Sequence, residues 1–371
     1  MAPQVGPVLF PFTGYGVGGS HISTFLLAGG LAEHGVRAVV IAAEGSTVAR
    51  EAMARGLEVV IEPGNAATRR ETLRDIRRLP ARRRLLRSFG RRAIVHCSDI
   101  WAAQSWGTTA RSLGLPFIYH HRAFIGKRAH DRLLIRLANR VISISEACSD
   151  NLKDAGAGPA RNILNPFEAI PDPEKHRDAR AEFARRWPID GLRLIGFSAN
   201  FQLRKRARFF VEVAGVIAAR DAKTRFVVFG RDRDETAAQL EAYAASLGIG
   251  DRIFFAGFRS PPERNIAAVD LLAIPALSEP FGRTLVEAVL LGVPYVATDD
   301  AGHSEIARRW GGGALVPPEA SAETFARAVL DILDRPAGAA LGPGARAAVA
   351  EELRPATHAA RVIEVYRETV A

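Results

Sequence analysis

The chain has little cysteine, no long apolar run and too few acidic residues to balance its basic ones, and each shortage narrows what it can be. Only two cysteines occur in 371 residues, Cys97 and Cys148. They lack the close spacing and companion histidines of a zinc site or redox pair, so neither is expected, and a reducing cytoplasm is the expected compartment. No stretch approaches the roughly 18 uncharged apolar residues that cross a bilayer. The amino terminus lacks the charged start and apolar core of a signal peptide, so the chain is expected to be made and kept inside the cell. Lys and Arg number 50 against 40 Asp and Glu, a net charge of +10. The excess is concentrated: residues 69–92 hold eleven arginines against Glu71 and Asp75. Leu73, Ile76, Leu85, Leu86 and Phe89 interrupt them at helical spacing, which predicts an amphipathic helix broken near Pro80. Two readings stay open, a solvated face that keeps the protein soluble and a peripheral contact with the anionic inner leaflet of a membrane. Nucleic acid is not expected as a partner, since no recognised binding motif accompanies the charge.

What is present is an ordinary globular composition, 48% hydrophobic and 24% charged, in a chain long enough for two domains. An apolar run, 7–12, meets the glycine-rich TGYGVGG, then a helical pattern over 20–34 and a second apolar run over 36–43. The alternation continues through strands expected at 58–61, 93–97, 116–120 and 141–145, which predicts a parallel sheet covered by helices. The proline- and charge-rich NPFEAIPDPEKHRD, 165–178, reads as a linker. A second series of strands follows at 192–198, 225–230, 252–257, 271–275, 295–298 and 313–316. The expected layout is an α/β protein of two Rossmann-like domains facing a cleft: residues 1–165, a linker over 166–187, residues 188–355, and a last helix over 356–371 that returns to the first domain.

The segment SEPFGRTLVEAVLLGVPYVATDDAG, 278–302, follows the expected strand LLAIP and opens a helix at about Phe281. The amides of Phe281, Gly282, Arg283 and Thr284 then face outward with the positive end of the helix dipole, an arrangement that binds phosphate. Gly282 lets a diphosphate approach closely. Glu287, one to two turns into the helix, can accept two ribose hydroxyls, and Glu279 stands beside the group beyond the phosphates. A capping Glu279 with an exposed Glu287 is the plainer alternative.

SEPFGRTLVEA resembles the E-x7-E signature of retaining glycosyltransferases of family 4, the group 1 transferases with the GT-B fold. FSANFQLRKRARFFVEVA, RFVVFGRD, RIFFAGF and, in the first half, ANRVISISEACSDNLKDAG extend the resemblance over most of the chain, loosely between residues 44 and 92. It implies a metal-independent, retaining hexosyltransferase without cofactor, whose substrates are a nucleotide-sugar donor and a glycan, lipid-linked or small-molecule acceptor, in cell-envelope or polysaccharide synthesis. It places Glu287 on the donor ribose, Glu279 on the transferred sugar and Lys205 on the donor diphosphate, where a cation balances the charge. The family's usual second cation position holds Asn200 here, and Arg204 or Arg206 substitutes for it. Phe258 falls either near the nucleotide base or in the core. No Asp-x-Asp pair is read in the sequence, and no divalent metal is predicted.

Gly14, Gly16 and Gly19 also fit G-x-G-x-x-G, with Glu44 ending the next strand, which by itself argues for an NAD-dependent oxidoreductase. The resemblance instead assigns Gly18 and Gly19 to a loop closing over donor and acceptor. His120 and His121, at the end of an expected strand, are candidates to approach the reacting sugar; Arg122 competes for that place, a capping role is equally open, and His21 is a weaker candidate. A two-domain nucleotide-sugar epimerase is the other alternative.

Overall fold

Short runs of four to six residues, mostly apolar and too continuous for a sheet with one wet face, form twelve of the thirteen strands among the described residues, the two-residue Arg161–Asn162 being the exception, and all thirteen are parallel. The structure, a computed structural model, describes residues 5–62, 76–168, 174–335 and 340–370. The chain divides into two units, Met1–Glu168 with Glu351–Ala371, and Ala169–Ala350.

The first unit runs β1 (Val8–Pro11), α1 (Gly19–Glu33), β2 (Ala38–Ala43), α2 (Thr47–Ala54), β3 (Glu58–Glu62), α3 (Leu79–Ser88) and β4 (Ile94–Cys97). An unbroken helical stretch over 100–112 follows, here α4, with a π-helical turn at Ala103–Gly107. Then come β5 (Phe117–His121), α5 (Ala129–Arg136), β6 (Arg140–Ser143), α6 (Glu146–Asp154) and the short β7 (Arg161–Asn162). The sheet order is β3-β2-β1-β4-β5-β6-β7. Successive side chains alternate between two cores. Val8 and Phe10 pack with α1 on one face, and Leu9 packs with Leu86, Trp106 and Ile135 on the other.

The second unit runs α7 (Glu174–Ala184), β8 (Arg193–Ser198), a 3-10 turn at Leu203–Lys205, α8 (Ala207–Arg220), β9 (Thr224–Phe229), α9 (Ala237–Ser246), β10 (Ile253–Gly257) and α10 (Pro262–Ala267). It continues with β11 (Leu271–Ile274), α11 (Arg283–Leu291), β12 (Tyr295–Thr298), α12 (Gly302–Trp310), β13 (Gly313–Val316), α13 (Ala322–Leu333) and α14 (Pro343–Glu352). Its sheet order is β10-β9-β8-β11-β12-β13. Last comes α15 (Pro355–Val370), which packs on α1 in the first unit. Gly30 is the residue that permits this: a Cβ there would lie 2.3 Å from the Pro355 carbonyl oxygen.

One local reading needs correction. The segment read as a linker contains the start of α7, because Glu174–Ala184 is free of proline and forms an ordinary helix. The basic segment is helical with a break near Pro80, as expected: it turns at Arg78, and α3 starts with Pro80 in its first turn, where the missing N–H costs nothing; its residues 69–75 lie outside the described residues. Cys97 and Cys148 are both buried thiols. Among the described residues no helix is long and apolar enough to cross a membrane.

Candidate functional site

In both sheets the chain first builds outward on one side of the first strand and then crosses to the other. The carboxyl ends of the two strands flanking that reversal splay their loops apart and leave a crevice. In the second unit the flanking strands are β8 and β11. Phe197, Ser198 and Ala199 from the first, with Ala273 to Ala276 from the second, wall a narrow cavity completed by Lys205, Glu279, Gly282, Thr284 and His303.

The loop between β11 and α11 is pinned from both sides. Leu277 donates its amide to the Arg204 carbonyl at 2.8 Å, Ser278 donates to Asp300 Oδ2 at 2.5 Å, and Gly302 donates to the Glu279 carbonyl at 2.9 Å. Glu279 is thereby held against two cations, Lys205 Nζ at 2.5 Å and Arg204 Nη1 at 2.8 Å. Burial alone would raise its pKa, but Lys205 and then Arg204 outweigh burial and hold the carboxyl down at about 2. The cavity thus carries a fixed carboxylate with two donors that an anionic ligand can share.

The helix starts later than the sequence suggests. Gly282 takes φ 90°, closed to most side chains, and serves as N-cap, so α11 begins at Arg283 and not at Phe281. The Leu285 and Val286 amides turn back to the Gly282 carbonyl. Gly282 and Thr284 both line the cavity. A Cβ on Gly282 would meet His303 Cδ2 at 2.7 Å.

Glu287 is placed differently from the exposed helical glutamate of the plainer reading. Its side chain is 7% exposed, with Arg283 Nη2 at 3.7 Å, and it is not among the residues lining the cavity. Burial dominates and pushes its pKa up to about 7, with Arg283 opposing. Phe258 is 52% exposed, which corrects the core alternative, and the Arg231 guanidinium covers its ring at 3.5 Å. Asn200 lies just past β8, where its carbonyl accepts the Gln202 amide. Of the two substitute cations, Arg204 joins the cavity cluster, while Arg206 lies over the Phe209 ring.

His303 is the residue the sequence reading missed. It is buried, and burial lowers its pKa to about 4 against the pull of Glu279. The signal available was its place in TDDAGHSE, one residue past the Gly302 that anchors the Glu279 loop. The sequence also spells Asp-x-Asp once, at Asp232 and Asp234, which corrects the reading that it holds no such pair. Asp232 accepts the Ala237 amide and Asp234 the Leu203 amide, both at 2.9 Å, so each is committed to backbone. Among the described residues no group of three or more His, Cys, Asp or Glu is placed to hold a metal ion.

In the first unit the reversal lies between β1 and β4, and a crevice opens one strand further on, beyond β4 and β5, lined by Ser20, Ser98, Asp99, Trp101, Tyr119 and Arg122, among others. Asp99 caps α4 through the Trp101 and Ala102 amides and accepts from Thr13 Oγ1. Gly18 is the N-cap of α1 and donates its amide to His21 Nδ1 at 3.1 Å, and Gly19 begins the helix. The histidine expectation changes here. His120 is fully buried in a chain of hydrogen bonds in which its Nδ1 meets both His96 Nε2 and Arg122 Nη2 at 3.1 Å, and His96 Nδ1 meets the Tyr366 hydroxyl at 2.7 Å. Burial, then Arg122, holds His120 neutral. His121 is also buried, next to Asn151, with its pKa lowered by burial to about 4. Neither ring lines the crevice, and Arg122 does.

Comparison with known proteins agrees with this architecture. Residues 179–347 match the family model for glycosyl transferases group 1, and residues 17–166 match that for glycosyltransferase family 4. A 2-deoxystreptamine glucosyltransferase of Streptomyces kanamyceticus is 27% identical over 262 residues, 64% of this chain and 67% of that one. Other curated relatives align over 29% to 43% of their own lengths. Among solved structures, a Rickettsia africae glycosyltransferase superposes with a TM-score of 0.83 at 17% identity, covering 99% of both chains. Anabaena HepE in complex with UDP-glucose superposes at 0.80 and 18% identity, covering 98% of this chain and all of that one. These likenesses show the fold, GT-B with two Rossmann-like domains.

Proposed function

The chain belongs to the group 1 glycosyltransferases, and from that premise we propose that it moves a sugar from a nucleoside diphosphate donor to an acceptor hydroxyl, using the cavity of the second unit for the donor. The observation that carries this reading is the Glu279 carboxylate held by Lys205 and Arg204 beside the start of α11. A diphosphate entering the cavity takes over the two cations and the Gly282 and Thr284 amides, and Glu279 turns to hydroxyls of the transferred sugar. Glu287 accepts the ribose hydroxyls, a role that needs its carboxylate ionised.

In the reaction the bond from the anomeric carbon to the diphosphate oxygen breaks, and its electron pair stays on the diphosphate. The acceptor oxygen bonds to that carbon and its proton passes to the departing phosphate. Lys205, Arg204 and the helix-start amides meet the charge that develops on the leaving group, already oriented before the reaction begins. A divalent ion is not required by this scheme, and the product keeps the donor's anomeric configuration. HepE is solved with UDP and with UDP-glucose, so UDP is the first ligand to try. Relatives named for lipopolysaccharide core and O-antigen biosynthesis support an envelope glycan as acceptor.

A thermal-shift panel of UDP, GDP, ADP, TDP and NAD tests the donor class. A nucleoside diphosphate should raise the melting temperature and NAD should not, whereas stabilisation by NAD alone would restore the oxidoreductase reading. Proton spectra of the product anomeric centre test retention, and turnover in excess chelator tests metal independence. The oxidoreductase and epimerase readings are otherwise not favoured.

A further inference from the structure

Lys205, Arg204 and Glu279 leave one buried polar side chain of the donor cavity without a task, His303. It is 1% exposed. Burying an imidazole costs more than burying an apolar side chain of similar size unless its nitrogens are paired. The protein repays little of that cost, because Nδ1 is buried with no partner in hydrogen-bond geometry among the described residues. Glu279, Asp300 and the Thr298 carbonyl favour the protonated ring and Lys205 opposes it; burial outweighs all of them and keeps the ring neutral. Gly282 makes room for it. A Cβ there would lie 2.7 Å from His303 Cδ2 and 3.4 Å from Nε2, so any side chain at 282 would displace the imidazole. The ring edge that carries Nε2 thus shares one corner of the cavity with the bare backbone of Gly282, and Lys205 and Glu279 line the same space.

Resting on the donor reading above, we propose that His303 is a donor-contacting residue, whose Nε2–H donates a hydrogen bond to a diphosphate oxygen beside Gly282. A phosphate oxygen only accepts, so the ligand selects the ring tautomer with its proton on Nε2. The acceptor is charged, which strengthens the bond. A leucine would fill the same corner at lower cost and offer nothing to an anion. A third cation would offer more, but it would add another partner for Glu279. The neutral ring holds no carboxylate that a diphosphate must first displace.

Calorimetric titration of the full chain with UDP, GDP, ADP and TDP, and with the matching nucleosides, tests this without an acceptor. The parent should bind one diphosphate far more tightly than its nucleoside. His303→Leu should weaken that diphosphate by about 10 to 150-fold, the loss of a hydrogen bond to a charged group, and leave the nucleoside's affinity unchanged. His303→Gln sets an amide N–H where Nε2 stands and should recover most of the loss. His303→Asn sets its amide at the place of Nδ1 and should behave like the leucine variant. Melting curves without ligand separate lost contact from lost folding, and the glutamine and asparagine variants, both polar, carry the comparison if leucine unsettles the fold. Unchanged diphosphate affinity in the leucine and asparagine variants, or a loss shared equally by the nucleoside, would overturn the proposal and leave the donor site standing. A parent that binds none of the diphosphates would overturn the donor reading and the proposal together.

Discussion

Replacing Glu287 with glutamine keeps the shape of the side chain and removes one titration, so the two proteins together isolate the energetics of a single buried carboxyl. Burial raises that carboxyl from its usual 4.5 to about 7, with Arg283 pulling the other way. Between those values the folded protein retains a proton that the unfolded chain has released, so stability falls as pH rises. The interval is about 2.5 pH units, and at about 1.4 kcal/mol each it amounts to about 3 kcal/mol lost between pH 4.5 and pH 8. Glutamine pays nothing of this. The stability of the wild type minus that of Glu287→Gln should therefore stay flat below pH 4.5 and drop by about 3 kcal/mol by pH 8, every other titration cancelling in the difference. Urea denaturation of both full chains at a series of pH values gives the curve. Donor binding supplies a second readout, because the ribose requires the ionised form: affinity should strengthen through about pH 7 in the wild type and not in the variant. Parallel stability curves would refute the burial argument, and a pH-independent donor affinity would remove Glu287 from the ribose.

Lys205→Ala should reduce kcat/KM for the donor by about 10 to 150-fold, the loss of a charged hydrogen bond. Since its partner gains charge during the reaction, kcat itself should fall, and steady-state kinetics showing a change in KM alone would confine Lys205 to binding. The low pKa of Glu279, about 2, means that its ion pairs contribute stability above pH 4.5 and lose it as pH falls towards 2. Glu279→Gln should be less stable than the wild type at pH 7, and the gap should close on acidification; melting curves at pH 7 and 3 would show it. Gly30→Ala should destabilise the first unit by about 2 kcal/mol or more, through the clash with the Pro355 carbonyl. Protease sensitivity of the carboxyl-terminal helix would report it.

Strands were the most legible part of the fold, because a parallel sheet buried on both faces demands apolar runs such as VLFP and AVVIAA, and these stand out against helical spacing. The two-residue β7 was not legible, since Arg161 and Asn162 are exposed and polar and owe their pairing to β6 alone. Within the site, the Lys205 and Glu279 candidates could be read from residue type and motif order, and the structure brings them together. Burial could not be read that way. Whether a histidine at a strand end faces solvent or a polar interior depends on what covers it, and His120 is stacked on by His358 while its partner His96 is held by Tyr366, both more than two hundred residues downstream. The start of α11 was missed by two residues because the positive φ of Gly282 delays it.

The first unit is interrupted: the chain leaves it after Glu168 and comes back at Glu351, and Val362, Ile363 and Tyr366 fill the same core as Val8 and Phe10. On the ribosome, therefore, the portion before Glu168 must wait for the portion after Glu351. The inserted unit, contiguous in sequence, has all its strands available while its neighbour still lacks a wall. Termination ahead of Val362 would strip that wall permanently, so it should be as damaging as termination in the middle of the inserted unit.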